Sequence, residues 1–545
     1  MQLPVVKDRF MADLSFRGPS PVQLRNALRD QGRLDRRWFL AYAGSLTAAS
    51  VLAERAVAGG RAGGFAADPF SLGVASGDPT PDGMVLWTRL APRPLDPDGG
   101  MTPEPVDVVW ELATDESFQN VVRRGTAVAL PQLAHSVHVE VEGLEPGRWY
   151  AYRFRCGEAE SPVGHTRTMP AAAAIPEAVR FAFASCQNYE TGYFTAYEHM
   201  AAQSPDLVFH LGDYIYEKSR KSGVRPHDNE PELTTLADYR RRHSTYRSDR
   251  LLQQMHAACP WMVTWDDHEF DNNYAAGVSE EEGIDPAEFL IRRANAYQAY
   301  YEMMPLRRRS LPKGPDMRLY RRCGFGRLAE FLVLDTRQYR SDQPNGDTRS
   351  TLNDEAAAVG NTLLGKEQRG WLESRLIRSP AQWNVLAQQV MMGVVDRVAG
   401  AEEGFSMDQW PGYLAERSRL LEFCQDRRVS NPVVLTGDIH SNWVNDLRSN
   451  DRDPEAQVIG TEFVGTSISS FGDGVDKPSN LDALLAENPG LRWHNAERGY
   501  VMCTVTPEQW QSDYWTMTSV TTPDGQAVLR KSFVVENGRP GAVEA

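Results

Sequence analysis

Hydrophobic and polar positions along this chain follow two rhythms, with the change near residue 170. Between residues 69 and 169, short runs at 83–87, 106–112 and 136–141 alternate polar with apolar and are divided by Pro, Gly and Asp turns. That period of two predicts half-buried strands. Leu144-Glu145-Pro146-Gly147 precedes an aromatic run at 149–154, a turn-and-tyrosine arrangement common in fibronectin-type sandwiches. The segment is therefore expected to be an all-β fibronectin/Ig-like sandwich of about seven strands. From about Val179, apolar strands alternate with long polar or helical stretches, the pattern of an α/β domain.

The strand ends of this second part are its most informative feature. Apolar runs lead into Ser185-Cys186-Gln187-Asn188, Gly212-Asp213, Asp266-Asp267-His268-Glu269, Asp335-Thr336-Arg337, Gln388-Gln389 and Gly437-Asp438-Ile439-His440. Six strands that each end in polar or ligand-competent residues predict a site at the carboxyl edge of a sheet. Residues 236–258 read as helical, and an amphipathic helix opens at Gly365 with Trp371, Leu372 and Leu376 on one face. Residues 499–535 return to strand-like alternation, and the final residues are expected to be disordered.

Length and composition narrow the class. A chain of 545 residues, 41% hydrophobic and 24% charged, has room for two or three domains. No run approaches the ~18 apolar residues of a membrane span. Residues 1–58 hold nine basic and five acidic side chains, so the remainder carries −19 of a chain total of −15. That field attracts cations and disfavours nucleic acid as a stable partner. The lead itself, Asp35-Arg36-Arg37-Trp38-Phe39-Leu40, a modestly hydrophobic stretch and Ala56-Val57-Ala58, resembles a twin-arginine export signal. It implies the twin-arginine export machinery as a partner and a periplasmic or secreted location. The expected organisation is a signal at 1–58, a Gly-rich linker at 59–67, the sandwich at 68–170, a catalytic domain at 178–536 and a disordered tail at 537–545. Six scattered cysteines without a C-x-x-C pair argue against a disulfide framework, a zinc ribbon or a thioredoxin site, and leave room for one disulfide.

Phosphate-ester hydrolysis by metals needs two cations a few ångströms apart. Gly212 lets the backbone turn so that Asp213 and Tyr216 can face one point. Asp213 can bridge two cations. Tyr216 can offer a phenolate, which costs a proton held to pH ~10 and suits a strongly Lewis-acidic ion such as ferric iron. Alone, Tyr214 and Tyr216 read more readily as aromatic packing, Cys186 as a small core residue and His440 as a satisfied core histidine. The bland readings weaken jointly, because Cys186 (thiolate), Asp267 and Asp438 (carboxylates) and His440 (imidazole) all fall at strand ends. Gly360 to Lys366 mimics a phosphate-binding loop but is followed by Glu367 where Ser or Thr would be needed, and reads as a helix entry.

In order, Ser-Cys-Gln-Asn, Gly-Asp-Tyr-Ile-Tyr-Glu, Trp-Asp-Asp-His-Glu-Phe-Asp-Asn-Asn, Leu-Asp-Thr-Arg-Gln-Tyr-Arg and Leu-Thr-Gly-Asp-Ile-His-Ser-Asn-Trp resemble the alkaline phosphatase D (PhoD-like) family of the metallophosphoesterase superfamily. The likeness covers nearly the whole mature chain, including Gly73-Val74-Ala75-Ser76-Gly77-Asp78-Pro79 of the β-rich segment. It implies two β-sheets flanked by helices, with Fe(III) and calcium as cofactors. Carried over, Cys186, Asp213, Tyr216 and His440 would hold iron; Asp213 would bridge to calcium, joined by Asp267 and Asp438. Asn272, Asn273 and Gln389 are further candidate oxygen donors. His268 sits where the superfamily places a histidine that protonates the leaving group or supports a ligand. Arg337 is the candidate clamp on a phosphate oxygen, with an ion pair as its alternative. The resulting expectation is an exported phosphoesterase acting on monoesters and diesters, small molecules or lipids, by attack of a metal-activated hydroxide. A phospholipase-D-like phosphodiesterase is the nearest rival. A non-haem iron redox protein would need a second well-placed histidine, and a surface-adhesion protein would have no need of a metal-ligand set.

Overall fold

The computed structural model describes residues 64–220, 223–227 and 232–545. The expected export signal lies outside the described residues. The larger part is α/β, built on two sheets. All six informative strands form, but they divide three and three. Val179–Ala184, Leu207–His210 and Trp261–Val263 run parallel in a ten-stranded sheet. Ala329–Val333, Trp383–Ala387 and Pro432–Thr436 run parallel in an eight-stranded sheet. The site therefore forms at the carboxyl ends of two sheets rather than of one.

Alternation along each strand explains the layering. Phe181, Phe183 and Phe209 of the first sheet meet Phe331, Val385 and Leu435 of the second in one apolar core, with Phe181 and Phe331 ring centroids 5.1 Å apart. The intervening residues Ala182, Val208 and Val263 face outward, under Tyr197, Met200, Tyr239, Leu252 and Tyr297 from flanking helices. Leu332, Leu386 and Val434 do the same on the other side, beneath Leu372, Leu376 and Leu420. Near-continuous apolar strands are what a sheet covered on both faces requires.

The N-terminal segment is all-β and forms the expected sandwich, with one difference. Five strands, Val106–Ala113, Val121–Ala129, Trp149–Cys156, Ala159–Glu160 and Gly164–Arg167, make one sheet. The facing layer, Val74–Thr80, Gly83–Arg89 and Ser136–Val141, is the continuation of the ten-stranded sheet, joined where Gly77 pairs with Trp261. A side chain at Gly77 would sit 2.6 Å from the Pro305 carbonyl and 2.8 Å from that of Trp261, so only glycine permits the join. Buried Asp78 then takes Arg321 Nε at 2.5 Å and ties the sandwich to the second sheet.

One expectation, the disordered tail, is corrected, and two open readings are made definite. Residues 236–258 form two helices, Leu236–Arg247 and Arg250–Ala258, because Asp249 between them caps the second by accepting from Leu251 and Leu252 N–H. The tail is not disordered: Arg539–Glu544 is the edge strand of the first sheet, and its Ala542 N–H donates to buried Asp446 at 2.9 Å. No disulfide forms; all six cysteines are buried and unpaired. The helix at Gly365–Arg378 is where the phosphate-loop mimic ends, as its reading as a helix entry requires.

Candidate metal centre

The strand ends carry their side chains on strained backbone. Cys186, Asp213, Asp438 and His440 all adopt positive φ, at +58°, +55°, +66° and +55°. Non-glycine residues hold such angles at a cost of ~1–2 kcal/mol each, and such strain clusters at functional sites. Gly212, at φ +115°, brings the chain so close to the next loop that a Cβ would lie 2.4 Å from that of Asp266. The turn inferred at this glycine is therefore required.

From these loops the structure brings together three overlapping groups. Ligand atoms of Cys186, Asp213 and His440 lie within 4.8 Å of one another, as do those of Asp213, Asp267 and His268, and those of Asp266, Asp267 and Asp438. The Tyr216 hydroxyl joins the first group, 3.0 Å from Asp213 Oδ2, 3.0 Å from His440 Nε2 and 2.7 Å from Ser470 Oγ. Asp213 stands in the first two groups and Asp267 in the last two, so the three share members in sequence. Tyr214 points instead into the core, where its hydroxyl meets His256 Nε2 at 2.9 Å.

His268 holds Glu217 Oε2 through Nδ1 at 2.7 Å and packs at a tilt against the Tyr216 ring, centroids 4.2 Å apart. Against the cost of burial, Glu217, Asp267 and Asp213 push its pKa well above the usual histidine value. Arg337 is fully buried; Nε donates to Asp266 at 2.5 Å and Nη1 to Asp408 at 2.6 Å. Its Nη2 makes no hydrogen bond but lies 3.6 Å from Asp267 and 3.5 Å from Asp438.

Other candidates are used by the scaffold. Gln389 accepts from Thr336 and donates to Thr264 and the Leu334 carbonyl. Gln388 binds the Val390 carbonyl, Thr436 and Trp410, and Asn272 reaches outward to Glu280. Asn273 stays beside the site, its N–H donating to Asp267 at 2.8 Å and its amide to Asp347 at 2.6 Å.

Four further residues shape the site. Glu269 accepts from the N–H groups of Asp213, Tyr214 and Asp266, pinning two ligand loops together. Glu217 orients His268, Ser470 joins Tyr216 to the Cys186 carbonyl, and Asp408 gathers Arg337, Arg340 and Gln343. Glu217 and Glu269 each close a motif quoted above, and an acid inside an apolar strand-end motif is their signal. Ser470 and Asp408 have none, for they arrive on loops remote in the chain.

The donor set suits cations. Asp213 Oδ1, Asp266 Oδ2 and Asp267 Oδ1 are buried with no hydrogen-bond partner. Burial, with the neighbouring carboxylates, drives the Asp213 and Asp266 pKa values well up, and burial and Asp408 push Asp438 to about 6. Burial and the charge on Asp213 raise Cys186 and Tyr216 likewise. Burial thus favours the neutral forms of these groups, and bound cations would stabilise their charged, ligating forms.

Comparison with known proteins gives a consistent result. The family model described as PhoD-like phosphatase matches residues 181–514, and that for the PhoD-like phosphatase N-terminal domain matches residues 56–170. The chain is 51% identical over 518 residues to alkaline phosphatase D of Bacillus subtilis (strain 168), covering 93% of this chain and 88% of that protein. A solved structure described as that of PhoD superposes with a TM-score of 0.86 at 52% identity, covering 89% of this chain and 93% of the other.

Proposed function

Because this chain belongs to the PhoD-like phosphatase family and is a phosphatase, we propose that it is an exported Fe(III)/calcium phosphoesterase acting on monoesters and diesters. The carrying observation is that Asp213 shares one donor group with Cys186 and His440 and another with Asp267 and His268, while Asp267 shares a third with Asp266 and Asp438. Cys186, Tyr216 and His440 with Asp213 offer thiolate, phenolate and imidazole, which suit iron. Asp267 and Asp438 with Asp213 offer carboxylate oxygens, which suit calcium. When bound, such a pair lowers the pKa of a water and neutralises charge on the phosphoryl oxygens.

The chain's own groups do the rest. Glu217 fixes the His268 ring, which gives its proton to the departing ester oxygen as the P–O bond breaks. Water adds to phosphorus, so the products are the alcohol and phosphate, or a monoester when the substrate is a diester. Arg337 makes the ion pairs of its alternative reading, with Asp266, Asp267, Asp408 and Asp438, and Nη2, the one donor of its head without a hydrogen bond, is assigned to a phosphate oxygen. The Arg36-Arg37 leader directs the folded protein to the periplasm or medium, and none of the described helices is long and apolar enough to cross a membrane.

Elemental analysis of the purified protein should return iron and calcium. Asp213→Asn and Tyr216→Phe should each lose iron and at least a hundredfold of phosphate release, and Tyr216→Phe should also lose visible absorption. Purified active enzyme without iron, or full activity in either variant, overturns the assignment. Rates on a monoester and a diester of the same alcohol rank the two activities.

A further inference from the structure

Among the described residues, only two aromatic rings stand among the exposed large apolar side chains, Trp149 and Phe471. Phe471 is 48% exposed and sits at φ +63°, a backbone angle that no bulky residue adopts without cost. It is also tied to the metal centre from several directions. Its ring packs 4.7 Å from that of His440. Ser470, just before it, reaches both the Tyr216 hydroxyl and the Cys186 carbonyl at 2.7 Å. The Phe471 N–H donates to Thr191 Oγ1 at 3.2 Å. Arg498 donates to the His440 carbonyl at 2.6 Å and reaches the Phe471 carbonyl at 3.5 Å. The Arg220 guanidinium lies 4.0 Å from the ring centroid.

A strained, exposed aromatic anchored this firmly serves no core. We propose that Phe471 and Arg220 form the subsite for the organic group of the ester, and that this subsite selects flat aromatic groups, aryl or nucleobase. The inference rests on the phosphoesterase reading. The Phe471 ring borders the candidate metal ligand His440 at 4.7 Å, so the organic group of an ester held at the metal centre has this exposed ring beside it. Flat π-systems stack on a phenyl ring regardless of their polar edges, and a guanidinium adds cation–π attraction. An acyl chain would need a contiguous apolar surface, whereas the groups touching Phe471 include Thr191, Arg220 and Arg498.

The test compares kcat/KM on 1-naphthyl phosphate and glycerol phosphate for the metal-loaded wild type, Phe471→Gly, Phe471→Trp and Arg220→Gln, with Tm recorded for each. In Phe471→Gly the naphthyl-to-glycerol ratio should fall about tenfold while Tm holds or rises, since glycine relieves the positive φ. Phe471→Trp should keep the ratio, and Arg220→Gln should lower it about threefold. An unchanged ratio in Phe471→Gly overturns the proposal, and so does a lowered Tm, which would mark Phe471 as a packing residue. Phosphatidylcholine vesicles provide the lipid arm: loss confined to their hydrolysis would replace the aromatic class with an acyl one. Failure of the wild type on every ester would refute the phosphoesterase reading instead.

Discussion

Three histidines, His210, His243 and His256, pack around Tyr214, directly behind the loop that carries Asp213 and Tyr216. All are fully buried, and neither ring nitrogen of His210 or His243 has a hydrogen-bond partner. Burial lowers both of these residues from 6.5 to about 3. Between pH 6.5 and 3 the unfolded chain therefore takes up protons that the native core refuses, and stability is lost as pH falls through that window. At pH 5 each such histidine costs ~2 kcal/mol, from ~1.5 pH units at 1.36 kcal/mol each, and above pH 7.5 almost nothing. His243→Leu keeps the volume and removes one titrating ring. Urea unfolding of wild type and variant, in one metal-containing buffer at pH 7.5 and pH 5, isolates the effect, because the other acidic groups cancel in the difference. The stability difference should shift by ~2 kcal/mol in favour of the variant at the lower pH. A difference that does not move with pH would refute the reasoning.

Two further outcomes follow from the charge arrangement. Arg337→Met leaves Asp266, Asp267, Asp408 and Asp438 without their shared guanidinium; thermal unfolding in chelator should show a loss of ~3–5 kcal/mol, and added calcium should restore part of it. Equal stability with and without Arg337 would contradict the proposed charge balance. Glu217→Gln removes the carboxylate that holds a proton on His268, so kcat should drop ~10²-fold and the alkaline limb of its pH profile should move to lower pH. An unshifted limb would take His268 out of the proton-donor role.

The chain's linear pattern determined a good deal. The change from period-two alternation to apolar strands between helices marked both folds, because burial of one or both sheet faces is written locally in side-chain polarity. Gly212 was legible as a tight turn, and the helix at Gly365–Arg378 as a helix rather than a phosphate loop. Candidate donors could be named because each stands at a strand end. The partition of six strands between two sheets was not legible, since all six share one apolar pattern and only the packing of one sheet on the other, as of Phe181 and Phe209 on Phe331, separates them. Nor was the edge strand Arg539–Glu544, whose Gly and Pro hide its pairing. The sandwich looked separate, yet Gly77 fuses it to the catalytic sheet through a contact 184 residues away in sequence. The supporting shell was the least visible part. Ser470, Asp408 and Phe471 reach the site on distant loops, and a residue's role there depends on charges and ring faces that only the folded chain brings within a few ångströms.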